Sequence, residues 1–156
     1  MGSMEKEIVA AYIVGAAGVA APLITYVLES AKIPSVAKHR QVALNGLWQG
    51  RLVQRNFDQQ IEIRLVAKSR SIKGRMKIIR DLEDGERHVE CEVSGRFYFD
   101  HYLKLDYNNT NPSIMQFGSI VLRLRPDGKE LEGKYSGYGA FAQAIVSGDM
   151  RLMRAD

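Results

Sequence analysis

The sequence predicts an all-β fold, an eight-stranded antiparallel up-and-down barrel, preceded by one N-terminal transmembrane α-helix. Two patterns carry that reading. From residue 44 onward apolar and polar residues alternate with a period of two, and no helical period interrupts them. Ahead of that region, residues 8–28 (IVAAYIVGAAGVAAPLITYVL) hold no charged side chain. A chain of 156 residues has room for one ordinary domain and an appendage of this kind.

Met1, Gly2 and Ser3, ahead of Met4, read as an expression scar and carry no fold information. Residues 4–28 form the expected membrane helix. At about 1.5 Å rise each, the 21 residues of the apolar run span roughly 31 Å, close to the hydrocarbon thickness of a bilayer. A signal peptide fits poorly: the start Glu5-Lys6-Glu7 lacks basic character, the run is too long, and Pro22 ends its small-residue stretch. A helix of a soluble core would keep one polar face. Side-chain charges sum to −1 before the run and to +2 from Glu29 to Arg40, which places the C-terminal domain in the cytoplasm. Ala11, Gly15 and Gly18 fall at i, i+4 and i+7, a stripe of small residues through which membrane helices approach closely and self-associate. Pro22 leaves the carbonyl of Gly18 unbonded and loosens that turn.

Residues 29–43, broken by Pro34, read as a linker, and residues 44–156 as the cytoplasmic barrel. Its strands are expected at 44–55, 59–68, 71–79, 87–99, 101–107, 113–125, 129–137 and 143–154. Alternation is plainest in QIEIRLVA, where Ile61, Ile63, Leu65 and Ala67 share one face, and it recurs in SIKGRMKI and HVECEVSGRFYF. Short connections make neighbours antiparallel. Eight such strands with one apolar face each would leave exposed edges as an open sheet, and closure removes them. Gly50, Gly74, Gly95, Gly133 and Gly148 sit on the apolar faces, where they let coiled strands bend around a small barrel. Outward Lys, Arg and Glu exclude an outer-membrane barrel.

Near the start of the first strand, Gly46-Leu47-Trp48 resembles the Gly-x-Trp signature of lipocalin-like (calycin) barrels. That resemblance implies that Trp48 plugs one barrel end under a basic residue of the last strand, Arg151 or Arg154. The layout of the whole chain, a membrane segment followed by a cytoplasmic calycin-like barrel, resembles the membrane effectors of bacterial cyclic-oligonucleotide antiphage signalling (CBASS). The resemblance implies a barrel that senses a cyclic dinucleotide or related cyclic oligonucleotide, and membrane helices that assemble as a homo-oligomer and disrupt the inner membrane. The family pattern carries two membrane helices; this chain has room for one.

Alternate loops of an up-and-down barrel lie at opposite ends. The end bearing residues 56–58, 80–87 (RDLEDGER), 108–112 and 137–143 has the longer loops and is the expected ligand end. Its rim offers Arg55, Asn56, Arg80, Tyr107, Asn108, Tyr135 and Tyr138 as ligand-binding residues, with Asn109, Asn111 and Gln143 beside them. Aromatic rings stack on bases, amides read base edges and arginines meet phosphates.

Other chemistries lack residues. His39, His88 and His101 are scattered, and no His/Cys spacing suits a metal. Cys91 lies on an apolar face and reads as buried and inert; Glu130 and Glu132 read as solvent-facing. With no phosphate-cradling loop and no nucleophile elbow, neither an enzyme nor a cofactor is expected. Net charge is +4 without any run of five like charges, so DNA and RNA are not expected partners. The alternative is a membrane-anchored calycin carrier, or an assembly subunit, holding a small apolar ligand.

Overall fold

The computed structural model describes residues 37–54, 57–82 and 85–155. The expected membrane helix, its stripe Ala11, Gly15 and Gly18, and the rim residues Arg55 and Asn56 lie outside them. Among the described residues no helix is long and apolar enough to cross a membrane. The chain divides into two units, Met1–Ser35 and Val36–Asp156, and the second is the barrel.

A short helix α1 (Lys38–Leu44) leads into eight strands: β1 (Gly46–Gln54), β2 (Phe57–Lys68), β3 (Ser71–Leu82), β4 (Gly85–Tyr98), β5 (Tyr102–Asn109), β6 (Phe117–Leu124), β7 (Glu130–Gly139) and β8 (Ala144–Ala155). Each pairs antiparallel with its neighbours in sequence, and β1 pairs with β8 to close the barrel. The alternation decides the faces: Ile61, Ile63, Leu65, Ile72, Met76, Cys91, Val93, Leu103, Leu105 and Leu122 fill the interior while their strand neighbours face water. Gly50 and Gly95 are inward, as expected from the sequence. A Cβ on either would collide with the carbonyl oxygen of Arg151 or Lys104 on the adjoining strand, so only glycine permits that approach.

The end where α1 enters is closed. Trp48 is wholly buried, donates its indole N–H to Leu44 O at 3.0 Å, and lies 5.9 Å from the Arg154 guanidinium carbon. The basic residue over the tryptophan is thus Arg154, which also donates to Ala43 O at 2.6 Å; Arg151 points outward to Glu130.

Residues 38–44 are the main departure from expectation, being helix where a linker and the first strand residue were expected. The helix has no side-chain N-cap and no acidic first turn, so its local signals are weak. Tertiary contacts hold it. Leu44 is buried against the core, and Arg40, four residues earlier on the same face, is buried in a nest of carbonyls. Its Nε donates to Asp100 O, Nη1 to Arg125 O and Pro126 O, and Nη2 to Leu124 O, all at 2.9–3.0 Å.

Two smaller corrections concern loops and charge. RDLEDGER is not a long loop: β3 and β4 stay paired out to Leu82 and Gly85, because alternating residues carry the ladder past the barrel wall. Glu130 is not solvent-facing but 7% exposed, covered by ion pairs with Arg125 and Arg151. Residues 113–116, expected as strand, belong to the β5–β6 connection.

A candidate ligand cavity at the open end of the barrel

At the end opposite α1 the strands do not fill their interior. A cavity of about 280 Å³ remains. Its floor is aliphatic, from Leu52, Met76, Ile78, Ile120 and Met150, and its roof is the β7–β8 connection with Ala140, Phe141 and Ala142. That connection is a tight turn in which Gln143 N donates to Gly139 O at 2.8 Å and Gln143 takes a positive φ of 51°.

Polar groups enter through strand parity. Continuing the inward positions of each strand toward this end brings Gln54 after Leu52, Gln59 before Ile61, Arg80 after Ile78, Tyr107 after Leu105 and Tyr135 after Gly133. Gln116, 6% exposed, adds an amide from the β5–β6 connection, where its Oε1 accepts from Asn109 Nδ2 at 3.5 Å. Gln54 Nε2 donates to Tyr135 Oη at 2.6 Å. The Arg80 guanidinium carbon lies 5.9 Å from the Phe141 ring, a cation–π contact tying wall to roof.

Tyr107 is seated by absent side chains. Its hydroxyl lies where a Cβ on Gly118 or Gly137 would stand, 2.6 and 2.5 Å from those points. The paired glycines of β6 and β7 therefore make the slot that the phenol occupies. Burial pushes the Tyr107 hydroxyl up to about 12, and the nearby Cys91 and Tyr135 add to the shift. Burial raises Tyr135 as well, opposed in part by its bond from Gln54, and it pushes the Cys91 thiol up to about 11. At neutral pH both tyrosines are neutral hydroxyls and the cysteine is an inert thiol.

Of the rim residues expected from the sequence, Arg80, Tyr107 and Tyr135 come together on this cavity. Asn108 is exposed, on the outer face by parity with the buried Tyr107. Tyr138 also lies on the outer face, stacked on Phe117 with centroids 6.2 Å apart. Asn109 and Asn111 serve the loop itself: Asn109 Oδ1 accepts from Asn111 N, and Asn111 Oδ1 from Ser113 N. Gln143 is exposed in the roof turn. Sequence reasoning missed Gln54, Gln59, Gln116 and Phe141. The first two were visible as inward positions by parity; the other two lie in connections and carry no periodic signal.

Among the described residues no cluster of His, Cys, Asp and Glu could hold a metal ion. No protein-family model, curated protein or solved structure matches the chain.

Proposed function

We propose that the barrel is a sensor that takes one base of a cyclic oligonucleotide into the open-end cavity, and that the chain is an antiphage effector of the inner membrane. The observation that carries the reading is the convergence of three amides, two neutral tyrosine hydroxyls and one guanidinium on a single apolar cavity. A nucleobase has two apolar faces and a hydrogen-bonding edge, which is what such a lining accepts. At about 280 Å³ the cavity falls just below the size of pockets that enclose a drug-sized ligand, so one base enters and the rest of the ring stays outside. A second base left at the mouth is available to a second barrel. Two barrels joined in this way would raise the effective concentration of the N-terminal segments, whose stripe Ala11, Gly15 and Gly18 would then assemble in the bilayer.

Thermal unfolding of the full chain in detergent tests this against cyclic di- and trinucleotides. Ligand at 100 times its dissociation constant stabilises by about 2.7 kcal/mol. Tyr107→Ala or Tyr135→Ala is expected to weaken binding by about 1–3 kcal/mol where the ring stacks on the base. Gly15→Leu with Gly18→Leu is expected to bind normally and fail to assemble. Absence of any shift with every nucleotide would overturn the reading.

A second reading has its own support. The floor of the cavity is formed by aliphatic side chains and methionines, and among the described residues Arg80 is the one charged side chain lining it, a single cation for a ligand with two or more phosphates. A carrier for a compact apolar ligand fits those two facts. A shift with medium-chain fatty acids and none with nucleotides would establish it.

A further inference from the structure

We infer that the closed end of the barrel docks on an anionic lipid surface, with Phe99 entering the headgroup region. This goes beyond the sensing proposal and does not depend on what the cavity binds. The β4–β5 turn at that end carries Tyr98, Phe99 and Tyr102 on the outside, with Phe99 78% exposed. His101 N donates to Tyr98 O, and both residues inside this turn, Phe99 and Asp100, have positive φ (51° and 58°). Such a turn favours Asn and Gly; a bulky aromatic residue there is an outlier that local structure does not reward. An exposed ring at a position that disfavours it is accounted for by something outside the barrel that the ring enters.

The charges around it name that partner. Lys68, Lys73, Arg96, Lys104 and Arg123 surround the turn on the outer faces of β2 to β6, and none has an ion pair among the described residues. Arg96 stands directly opposite Lys104 across β4 and β5, a like-charge pair that is unfavourable without an external anion. Asp106, the next outward residue on β5, accepts from Ser119 Oγ at 2.5 Å and makes no ion pair with this cluster among the described residues. Aromatic rings set among unpaired basic side chains fit the interface of an anionic bilayer. The same turn is fastened to the start of the described barrel unit. Ala37 N donates to Asp100 Oδ1 at 3.0 Å, in the same turn as Phe99.

The test uses the full chain with Phe99→Trp, reconstituted into vesicles of phosphatidylcholine alone or mixed equally with phosphatidylglycerol. Trp48, wholly buried, gives a constant background that the parent protein measures. The expected result is a blue-shifted emission, quenched by brominated acyl chains, in the anionic vesicles only. It should be reversed by high salt and weakened by Arg96→Gln with Lys104→Gln. Ile145→Trp, exposed at the open end, is expected to show none of this. Flotation with vesicles while the Phe99→Trp emission stays solvent-like overturns docking and leaves the membrane anchor standing. A response in anionic vesicles without flotation on neutral ones supports docking and removes the anchor. An equal response from Ile145→Trp, or preference for single-stranded DNA over anionic vesicles in competition, overturns the inference.

Discussion

Arg40→Met isolates what closes the barrel. The substitution keeps the length and apolar stem of the side chain and removes the guanidinium. Four carbonyls then lose a donor: those of Asp100, Leu124, Arg125 and Pro126. The Arg125 carbonyl keeps its bond from Gly128 N, so three are left short. The bond to Leu124 O is buried, whereas those to Asp100 and Pro126 are partly buried, where water can replace the donor. One buried orphan costs about 1–3 kcal/mol and each wetted one about 0.5–1 kcal/mol, against which the cost of burying a charge is recovered. The net expectation is about 3 kcal/mol, or roughly 10 °C in melting temperature for a domain of this size.

The chain supplies its own probe. Trp48 is the single tryptophan, and its indole N–H is bonded to Leu44 at the end of the same helix. Loss of α1 should therefore shift Trp48 emission together with the loss of β-sheet signal by circular dichroism. Arg40→Lys keeps the charge but cannot reach carbonyls on two connections at once, so it should recover less than half of the stability. If Arg40→Met lies within about 0.5 kcal/mol of the parent, the size of an ordinary surface change, the helix is not held by this residue and the reasoning fails.

Two other consequences are measurable. Tyr107 and Cys91 have folded-state pKa values raised above their ordinary ones, to about 12 and about 11, so their contribution is complete below pH 9 and is lost as pH climbs through those values. Denaturant titrations at rising alkaline pH should show stability falling from about pH 9 upward, with Tyr107→Phe removing the upper part of the decline; a profile unchanged in Tyr107→Phe would contradict the burial argument. Gly137→Ala puts a methyl 2.2 Å from Phe117 O, 2.5 Å from Tyr107 Oη and 2.6 Å from Gly118 Cα, so it should cost about 1–3 kcal/mol, shared between parting β6 from β7 and displacing the tyrosine from its slot. Parent-like stability and an unmoved Tyr107 in a crystal structure of the variant would refute the seating argument.

Most of the barrel was legible because its signal is periodic. Each strand repeats its apolar face often enough for parity to be read without a partner, and parity also carries Arg80, Tyr107 and Tyr135 to the cavity. What was not legible depends on tertiary structure. The helix Lys38–Leu44 is two turns long, uncapped, and too short to be stable alone, so nothing local announces it. RDLEDGER looked like a loop because its residues are charged, yet an exposed hairpin asks only for pairing, and charged side chains satisfy that on both faces. Glu130 was misread because parity gives the direction of a side chain and not what covers it; Arg151 and Arg125 do.

The two ends of the barrel differ in how they use polar groups, and that difference bears on both proposals. At the closed end three polar side chains are consumed inward: Arg40 by carbonyls, Trp48 by Leu44, Arg154 by Ala43. Around the β4–β5 turn, Lys68, Lys73, Arg96, Lys104 and Arg123 have no ion pair among the described residues, and Phe99 stands exposed. At the open end amides, phenols and the Arg80 guanidinium line a cavity, and the β3–β4 hairpin beside it carries both signs of charge, Asp81 and Glu86 with Lys77, Arg80 and Arg87. In the field of an anionic bilayer the basic cluster around the β4–β5 turn would be drawn towards the lipid. The orientation that satisfies the closed end leaves the cavity facing the aqueous phase, where a soluble ligand must arrive. A ligand that bridges two barrels would then join them at the end away from the lipid.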